Sequence, residues 1–252
     1  MRLATFNILH GRSPSDDRVD VDRFAAAVKD LDADVLALQE VDRNQPRSGH
    51  ADLTAVAAEA MGAVDSLFVA ALSGTPGATW VAATGEEQPD SAAYGVALLS
   101  RHPVTSWQIV RLGSPPGRVP MWFRGSRRPQ LVGDEPRVAV SATVASPDRT
   151  VTVVNTHLSF VPWWGGVQLR RLTRAVEGIE PLVLVGDLNM GAARVARISG
   201  LRSLVSERTF PAPAPREQLD HVLARGAVGK VAGSGAVELP LSDHRALFVD
   251  LR

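Results

Sequence analysis

The stretch Pro181-Leu-Val-Leu-Val-Gly-Asp-Leu-Asn189 combines an apolar run with a polar end. The run has five residues, a length more typical of a buried strand than of a helix. A glycine ends the run, and Asp187 and Asn189 follow two residues apart. If the backbone stays extended, both side chains point to the same side, so that a carboxylate and an amide lie together. The alternative is a simple turn, because Gly, Asp and Asn are common turn residues.

The composition of the whole chain limits the chemistry that is available. Of 252 residues 45% are apolar, and the formal net charge is zero, so no overall basic field attracts nucleic acid. Cysteine is absent, which excludes disulfides, thiolate metal sites and a cysteine nucleophile. Any metal ligands must therefore be carboxylates, amides or imidazoles, and these favour hard cations such as Mg²⁺, Ca²⁺ or Mn²⁺.

The length and the distribution of apolar residues favour a single domain over residues 1–252, because all-β sandwiches of this size are common. No apolar run approaches the ~20 residues of a membrane span. The first run, Leu3–Leu9, is too short for a signal peptide and predicts a strand. We therefore expect a cytoplasmic monomer without a transmembrane segment.

Short apolar runs predict many strands and few helices. The predicted strands are Leu3–Leu9, Asp34–Val41, Ser66–Leu72, Tyr94–Arg101, Ser106–Leu112, Arg137–Ala145, Thr150–His157, Gln218–Ala224 and Ala246–Leu251. The predicted helices are one capped by Asp20 or Asp22, Leu53–Met61, Gln168–Ile179 and a short one after Asn189. This pattern indicates two packed sheets with helices outside, an α/β sandwich.

The connections between these elements differ in length and composition. We expect Tyr94–Arg101 and Ser106–Leu112 to pair around His102-Pro103, and the strands on either side of Pro147-Asp148 to form a hairpin. The segments 73–90 and 113–135 are rich in Gly and Pro, which predicts loops. Loops as long as the second one are often functional.

Polar residues recur where the apolar strands begin or end. They are Asn7, Glu40, His157, Asp187, Asn189, Asp220, Asp243 and His244. Each has an ordinary explanation by itself: a turn residue, a charge at a strand edge, or a histidine satisfied in the core. The repetition from the first strand to the last favours a common site instead.

Ordered motifs extend the pattern along essentially the whole chain. They are Thr5-Phe-Asn-Ile8, Leu38-Gln-Glu-Val41, Tyr94-Gly-Val-Ala-Leu-Leu-Ser-Arg101, Asn155-Thr-His-Leu158, Gly186-Asp-Leu-Asn189, Leu219-Asp-His-Val222 and Ser242-Asp-His244. Together they resemble the endonuclease/exonuclease/phosphatase superfamily of metal-dependent phosphoesterases. The resemblance implies an α/β fold that is a four-layer α-β-β-α sandwich, with two mostly antiparallel sheets flanked by helices.

The resemblance also implies a role for each polar residue. Glu40 would be the main ligand of Mg²⁺ or Mn²⁺, with Asn7 beside it and Asp243 helping to hold the ion.

On the catalytic side, Asp187 would orient or deprotonate the attacking water, and Asn189 would bind a phosphate oxygen or the nucleophile. His244 would contact the phosphate while Asp220 holds its imidazole, and His157 would contact the phosphate or assist the leaving group. A carboxylate that activates water should be separate from the one that holds the metal, because the metal would neutralise its charge.

The chain departs from two members of the superfamily. Leu9 stands where abasic-site endonucleases have an acid, which argues against a second-metal contact there. Pancreatic deoxyribonuclease pairs the histidine equivalent to His157 with a glutamate on the preceding strand. Here the nearby residues are Ala92 and Ala93, with Asp90 the closest acid, which argues against general-acid help from such a pair.

The expected function is divalent-metal-dependent hydrolysis of a phosphoester bond, by in-line attack of an activated water. The alternatives are a nuclease acting on DNA or RNA, and a noncatalytic binding module on the same fold. Arg118–Arg128 and Phe160–Gly166 place aromatic residues beside arginines, and Arg170, Arg171 and Arg174 follow the second stretch. They would suit a nucleic acid, a small molecule or a lipid headgroup. Alternatively, the aromatic residues pack these loops and the arginines form a solvated face.

Overall fold

Two hydrogen-bonded sheets form the centre of the computed structural model, which describes residues 1–122 and 128–252. In chain order the described strands are β1 (Arg2–Asn7), β2 (Arg12–Ser13), β3 (Arg18–Val19), β4 (Val35–Arg43), β5 (Asp65–Gly74), β6 (Trp80–Ala82), β7 (Ala93–Ser100), β8 (Val104–Leu112), β9 (Val119–Met121), β10 (Gln130–Val132), β11 (Arg137–Ser146), β12 (Arg149–His157), β13 (Leu182–Asp187), β14 (Arg202–Ser203), β15 (Asp220–Arg225), β16 (Val231–Val237) and β17 (Ala246–Leu251).

Each large sheet has one parallel pair at its centre and antiparallel neighbours. Among the described residues, the first sheet has seven strands in the order β16-β17-β1-β4-β7-β5-β6 and the second has six in the order β14-β15-β13-β12-β11-β8. The parallel pairs are β1 with β4 and β12 with β13. Two small antiparallel pairs, β2 with β3 and β9 with β10, lie apart from these sheets.

The helices connect strands and cover the outer faces. They are α1 (Val21–Leu31), α2 (Leu53–Met61), α3 (Pro162–Ala175) and α4 (Ala192–Ser199), with 3-10 turns at Leu9–Gly11 and Pro46–Ser48. Asp20 caps α1, since its carboxylate accepts a bond from the backbone N–H of Arg23. Over residues 1–122 and 128–252, no helix combines the length and apolar character needed to cross a membrane.

Three apolar clusters define the layers. Val35, Val140 and Val183 belong to the cluster between the two sheets. A second cluster packs α1 and α2 on the first sheet, and a third packs α3 and α4 on the second sheet. The predicted four-layer α-β-β-α sandwich is thus confirmed. Most of the sheet pairings are antiparallel, as expected.

Two features of the predicted connections are wrong. Strands β7 and β8 do not pair: β7 lies between β4 and β5, whereas β8 pairs with β11 in the other sheet. The chain therefore crosses from one sheet to the other at His102-Pro103, and a proline with no backbone N–H suits such a crossing. Helix α3 begins at Pro162, well before the predicted Gln168, because proline is favoured in the first helical turn.

The remaining connections follow the sequence more closely. The hairpin of β11 and β12 around Pro147-Asp148 is confirmed by its continuous antiparallel register. The predicted loop 73–90 contains the short strand β6, which pairs with β5, and the loop 113–135 contains β9 and β10. Residues 123–127, which include Phe123 of the predicted aromatic stretch, lie outside the described residues.

Candidate active site

The two parallel strand pairs bring the polar strand ends to one edge of the sandwich. Helix α1 connects β1 to β4 and α3 connects β12 to β13, so each pair ends at the same edge of its sheet. Asn7, His157 and Asp187 are the last residues of β1, β12 and β13. Asp220 begins β15 and pairs in register with Asp187. Four of the eight residues predicted from the sequence therefore lie at this edge.

Glu40 reaches the site through a β-bulge. Strand β4 continues to Arg43, so Glu40 is not at its end, but the register with β7 shifts between Gln39 and Val41. Glu40 has φ 57°, a conformation that costs free energy in a residue other than glycine. The bulge redirects its side chain. The Nδ2 of Asn7 donates to Glu40 Oε1 at 3.0 Å and to Asp187 Oδ2 at 3.0 Å.

The chain turns immediately after Asp187 instead of staying extended. Asn189 has φ 50°, and its backbone N–H donates to Asp187 Oδ1 at 2.9 Å. The turn and the site are thus the same structure. Gly186 has φ 133°, and a Cβ there would lie 2.0 Å from the Thr156 carbonyl oxygen. Only glycine fits this close approach of β13 to β12.

The side-chain amide of Asn189 contacts the end of β12. Its Nδ2 lies 3.1 Å from His157 Nε2 and donates to the Leu158 carbonyl oxygen at 3.0 Å. Both amide hydrogens are therefore engaged, so contact with a phosphate oxygen requires exchange of the His157 contact. His157 Nε2 also lies 3.5 Å from Asp187 Oδ2.

Two buried histidines have opposite electrostatic environments. Burial opposes the charged form of His244, but Asp220, whose Oδ2 lies 2.8 Å from His244 Nδ1, raises the pKa of His244 to about 10. Burial and the nearby Arg137 hold the pKa of His157 well below its ordinary value. At neutral pH His244 is thus a cation and His157 is neutral.

The Asp187 carboxylate is poised between its two protonation states. Burial raises its pKa to about 7, against the opposing effect of His244. His244 Nε2 lies 3.8 Å from Asp187 Oδ2. A group with a pKa near the working pH is well suited to general base catalysis.

The donor set fits a divalent cation. Glu40 accepts a hydrogen bond from the Asn7 amide, and the charge of Asp243 adds to the burial that raises the pKa of Glu40. Oxygen ligands of this kind match Mg²⁺ or Mn²⁺.

A second possible donor set is the buried group Asp187, Asp220 and His244, whose ligand atoms lie within 4.8 Å of one another. In that group the contact between Asp220 and His244 already occupies one ligand atom of each. The other carboxylate oxygen of Asp220, Oδ1, is buried and has no hydrogen-bond partner among the described residues.

A buried polar network below the site was not identified from the sequence. Gln39 Nε2 donates to Asn155 Oδ1 at 2.7 Å and to Thr5 Oγ1 at 2.9 Å. Asn155 Nδ2 donates to the carbonyl oxygens of Leu38 and Ala97 at 2.9 and 2.8 Å. The network joins the two sheets directly beneath Glu40 and His157. Gln39 and Asn155 belong to the motifs Leu38-Gln-Glu-Val41 and Asn155-Thr-His-Leu158, in which only Glu40 and His157 were predicted to have a role.

Arg137 is a second residue that sequence reasoning missed. It is buried with Asp134, at 3.0 Å, and its Nε has no hydrogen-bond partner in the described chain. Its positive charge partly opposes the rise that burial causes in the pKa of Glu40, and it adds to the lowering of the pKa of His157. It lines a small cavity with His157 and Tyr94. The sequence Glu135-Pro136-Arg137 at the start of β11 has no feature that marks Arg137 as a site residue.

The two aromatic stretches have mixed environments. Trp164 packs inward and donates from Nε1 to the Gly113 carbonyl oxygen at 2.8 Å, so the packing alternative holds for it. Trp163 and Trp122 are 49% and 69% exposed and line a cavity of about 520 Å³ with Arg118. Arg171 lies over the Trp164 ring.

Comparisons with known proteins identify the family and the fold. No protein of curated function matches the sequence significantly. An endonuclease/exonuclease/phosphatase from Beutenbergia cavernae is 25% identical, with a TM-score of 0.72 over 100% of this chain and 71% of that chain. A sphingomyelinase C from Streptomyces griseocarneus shares the fold at 17% identity, with a TM-score of 0.64 over 100% of this chain and 99% of that chain.

A mannosyl-6-phosphatase from Bacteroides thetaiotaomicron also shares the fold, at 14% identity and a TM-score of 0.65, over 100% of this chain and 99% of that chain. At such identities the last two structures show the fold alone. The model of the Endonuclease/Exonuclease/phosphatase family matches residues 4–244, which is nearly the whole sequence. The chain therefore belongs to the endonuclease/exonuclease/phosphatase family.

Proposed function

We propose that this protein is a divalent-metal-dependent hydrolase of phosphoester bonds, in which an activated water attacks the phosphorus in line with the leaving group. The family to which it belongs hydrolyses phosphoester bonds. The observation that carries the proposal is the convergence of Glu40, Asp187 and His244. The Asn7 amide donates to both Glu40 and Asp187, and His244 Nε2 lies 3.8 Å from Asp187 Oδ2. The pKa of Asp187, raised by burial to about 7, supports its role.

Glu40, Asn7 and Asp243 would hold Mg²⁺ or Mn²⁺. A bound divalent cation offsets the negative charge of the phosphate and of the transition state. These residues supply hard oxygen ligands beside the catalytic carboxylate Asp187.

Asp187 accepts the proton of the attacking water, and Asn189 holds Asp187 in place through its backbone N–H. His244, fixed by Asp220, donates a charge-assisted hydrogen bond to a phosphate oxygen. His157, which is neutral, contacts the phosphate or the leaving-group side. Burial of these groups strengthens each interaction with the substrate.

The direct test is hydrolysis of bis(4-nitrophenyl) phosphate with Mg²⁺ or Mn²⁺, with and without a chelator. We expect hydrolysis that the chelator abolishes and that excess metal restores. Absence of metal-dependent hydrolysis on this probe and on a panel of single-stranded DNA, RNA, abasic duplex, inositol phosphates and sphingomyelin would contradict the proposal. The panel also separates a nuclease from a phosphatase or lipid phosphodiesterase.

Metal placement has a separate test. Calorimetric titration with Mn²⁺ should show much weaker binding in Glu40→Gln and nearly unchanged binding in Asp220→Asn. The opposite order would place the ion in the Asp187, Asp220 and His244 group instead. Failure of the unaltered protein to bind any divalent cation would favour the noncatalytic binding module.

A nuclease remains the second candidate because of the aromatic cavity. Trp122 and Trp163 are exposed beside Arg118, and exposed aromatic rings beside cations bind single-stranded nucleic acid by stacking. Preferential cleavage of single-stranded DNA or RNA over the small-molecule phosphates would support it.

A further inference from the structure

A pocket lined by three arginines lies next to the loop whose Phe210 packs on His244. We call it the arginine pocket, and define it by Ser206, Glu207, Arg208, Arg216, Gln218 and Arg245. Its volume is about 510 Å³, which lies within the range of small-molecule sites. None of these residues has a role in the catalytic arrangement described above.

The pocket is connected to the catalytic residues by short, well-defined contacts. Arg245 directly follows His244, so their Cα atoms are about 3.8 Å apart. The Arg245 backbone N–H donates to the Thr209 carbonyl oxygen at 2.8 Å, and the Phe210 ring centroid lies 5.0 Å from that of His244. The backbone N–H of Arg216 donates to the Phe210 carbonyl oxygen at 2.8 Å. The pocket and the site thus share one loop as a wall.

The charges of the pocket are only partly neutralised. Arg245 is held by Glu238 at 2.9 Å and by the Ala212 carbonyl oxygen at 2.7 Å, so it is already engaged. Arg208 and Arg216 are exposed and form no ion pair with residues 1–122 or 128–252. Glu207 is the one acid of the lining, so the two available guanidinium groups leave a net positive charge.

We infer that the arginine pocket binds a second phosphate group of the substrate whose scissile phosphate lies at Asp187 and His244. Guanidinium groups recognise phosphate oxygens through paired, charge-assisted hydrogen bonds. The chain has no net charge, so local arginines rather than an overall field provide the attraction. The inference rests on the proposed function and narrows it to substrates that carry more than one phosphate.

Two kinds of substrate present that chemistry: a nucleic acid with neighbouring backbone phosphates, and a small molecule with two phosphates. Calorimetry with a thymidine tetranucleotide and with fructose 1,6-bisphosphate distinguishes them. Titration in the presence of a chelator prevents turnover, so the measured affinity does not depend on catalysis.

The test variant is Arg208→Ala/Arg216→Ala. We expect it to weaken binding of at least one probe by about tenfold or more, because hydrogen bonds to charged groups are lost. The probe that loses affinity identifies the source of the second phosphate. The matched control is Arg18→Ala/Arg197→Ala, which removes two other exposed arginines and should change both affinities less than about twofold.

The inference is overturned if the pocket variant binds both probes as the unaltered protein does, or if the control weakens binding equally. It is also overturned if neither probe binds the unaltered protein more tightly than inorganic phosphate does. Hydrolysis of bis(4-nitrophenyl) phosphate, which has a single phosphate, should be nearly unchanged in the pocket variant. If the unaltered protein does not hydrolyse that probe, the proposed function is contradicted. Failure of the inference and failure of the proposed function are therefore distinguishable.

Discussion

The pKa of a histidine at this site depends on the groups around it and not only on its residue type. His157 and His244 are both buried, yet only His244 has a carboxylate on its Nδ1. The pKa of His244 is therefore raised to about 10, and that of His157 is lowered. The sequence located both histidines but not this difference, because the difference depends on distances between strands.

Replacing Asp187 tests directly whether this residue is the general base. Asp187→Asn keeps the size of the side chain but removes the group that accepts the proton. We expect kcat to fall by about 10²–10⁴, measured on bis(4-nitrophenyl) phosphate at saturating metal. Asp148→Asn, at the exposed hairpin turn, is the matched control and should have full activity. Full activity in Asp187→Asn would eliminate this residue as the base.

The pairing of Asp220 with His244 has a consequence for pH dependence. The pKa of His244 is about 10 in the folded protein and ordinarily 6.5, so the pairing contributes stability below pH 6.5 and loses it as pH rises through about 10. In Asp220→Asn the largest influence that opposes burial is lost, so the pKa of His244 should fall, although Asp187 and Asp243 still raise it. NMR titration of the His244 ring in metal-free protein measures both values. An unchanged pKa would show that Asp220 does not control this histidine.

At the scale of elements, strand ends were predictable and local irregularities were not. Apolar runs marked β12 and β13 as far as His157 and Asp187. The run predicted as Leu3–Leu9 marked β1, which ends two residues earlier, at Asn7. The bulge at Glu40 left no such signal, since Gln39-Glu40-Val41 has the composition of an ordinary strand. Pro162 does indicate the early start of α3, because proline is favoured in the first helical turn. The apolar periodicity, however, begins only in the later turns, and it predicted a start at Gln168.

The close approach of β12 and β13 depends on one glycine. Gly186→Ala places a Cβ 2.0 Å from the Thr156 carbonyl oxygen at a φ of 133°, so the strands must separate or the backbone must change. We expect the free energy of unfolding to fall by roughly 3 kcal/mol or more, measured by urea denaturation. In Gly113→Ala the new Cβ meets no atom within 4 Å, and the loss should stay below about 1 kcal/mol. Equal losses would assign the effect to glycine replacement in general.

At the scale of the whole molecule, the site lies between two sheets that must keep a fixed separation. The sequence predicted two packed sheets but not which strands belong to each, because β7 and β8 are adjacent in the chain and lie in different sheets. The apolar cluster between the sheets is largely aliphatic and could accept small sliding motions. The hydrogen bonds of Asn155 and Gln39 have directions, and they therefore define the position of one sheet on the other.

Asn155→Leu tests this role of the polar network. The substitution leaves the buried carbonyl oxygens of Leu38 and Ala97 without their side-chain donor. It also removes one acceptor of Gln39 Nε2, which keeps its bond to Thr5 Oγ1. Each unsatisfied group costs about 1–3 kcal/mol, so we expect a total loss of roughly 3–5 kcal/mol in urea denaturation. Thr173→Ala removes one solvent-exposed bond, from the Thr173 hydroxyl to the Arg170 carbonyl oxygen, and should cost less than about 1 kcal/mol.

A second readout separates a purely structural role from one that positions the site. Gln39 precedes Glu40 and Asn155 lies two residues before His157, so a shift of one sheet on the other moves the proposed metal ligand relative to the proposed catalytic histidine. We expect the folded fraction of Asn155→Leu to bind Mn²⁺ more weakly and to have a reduced kcat at temperatures below its unfolding transition. Unchanged metal affinity and kcat in the folded variant would restrict the network to stability, and the spacing of the two sheets at the site would then depend on the aliphatic core alone.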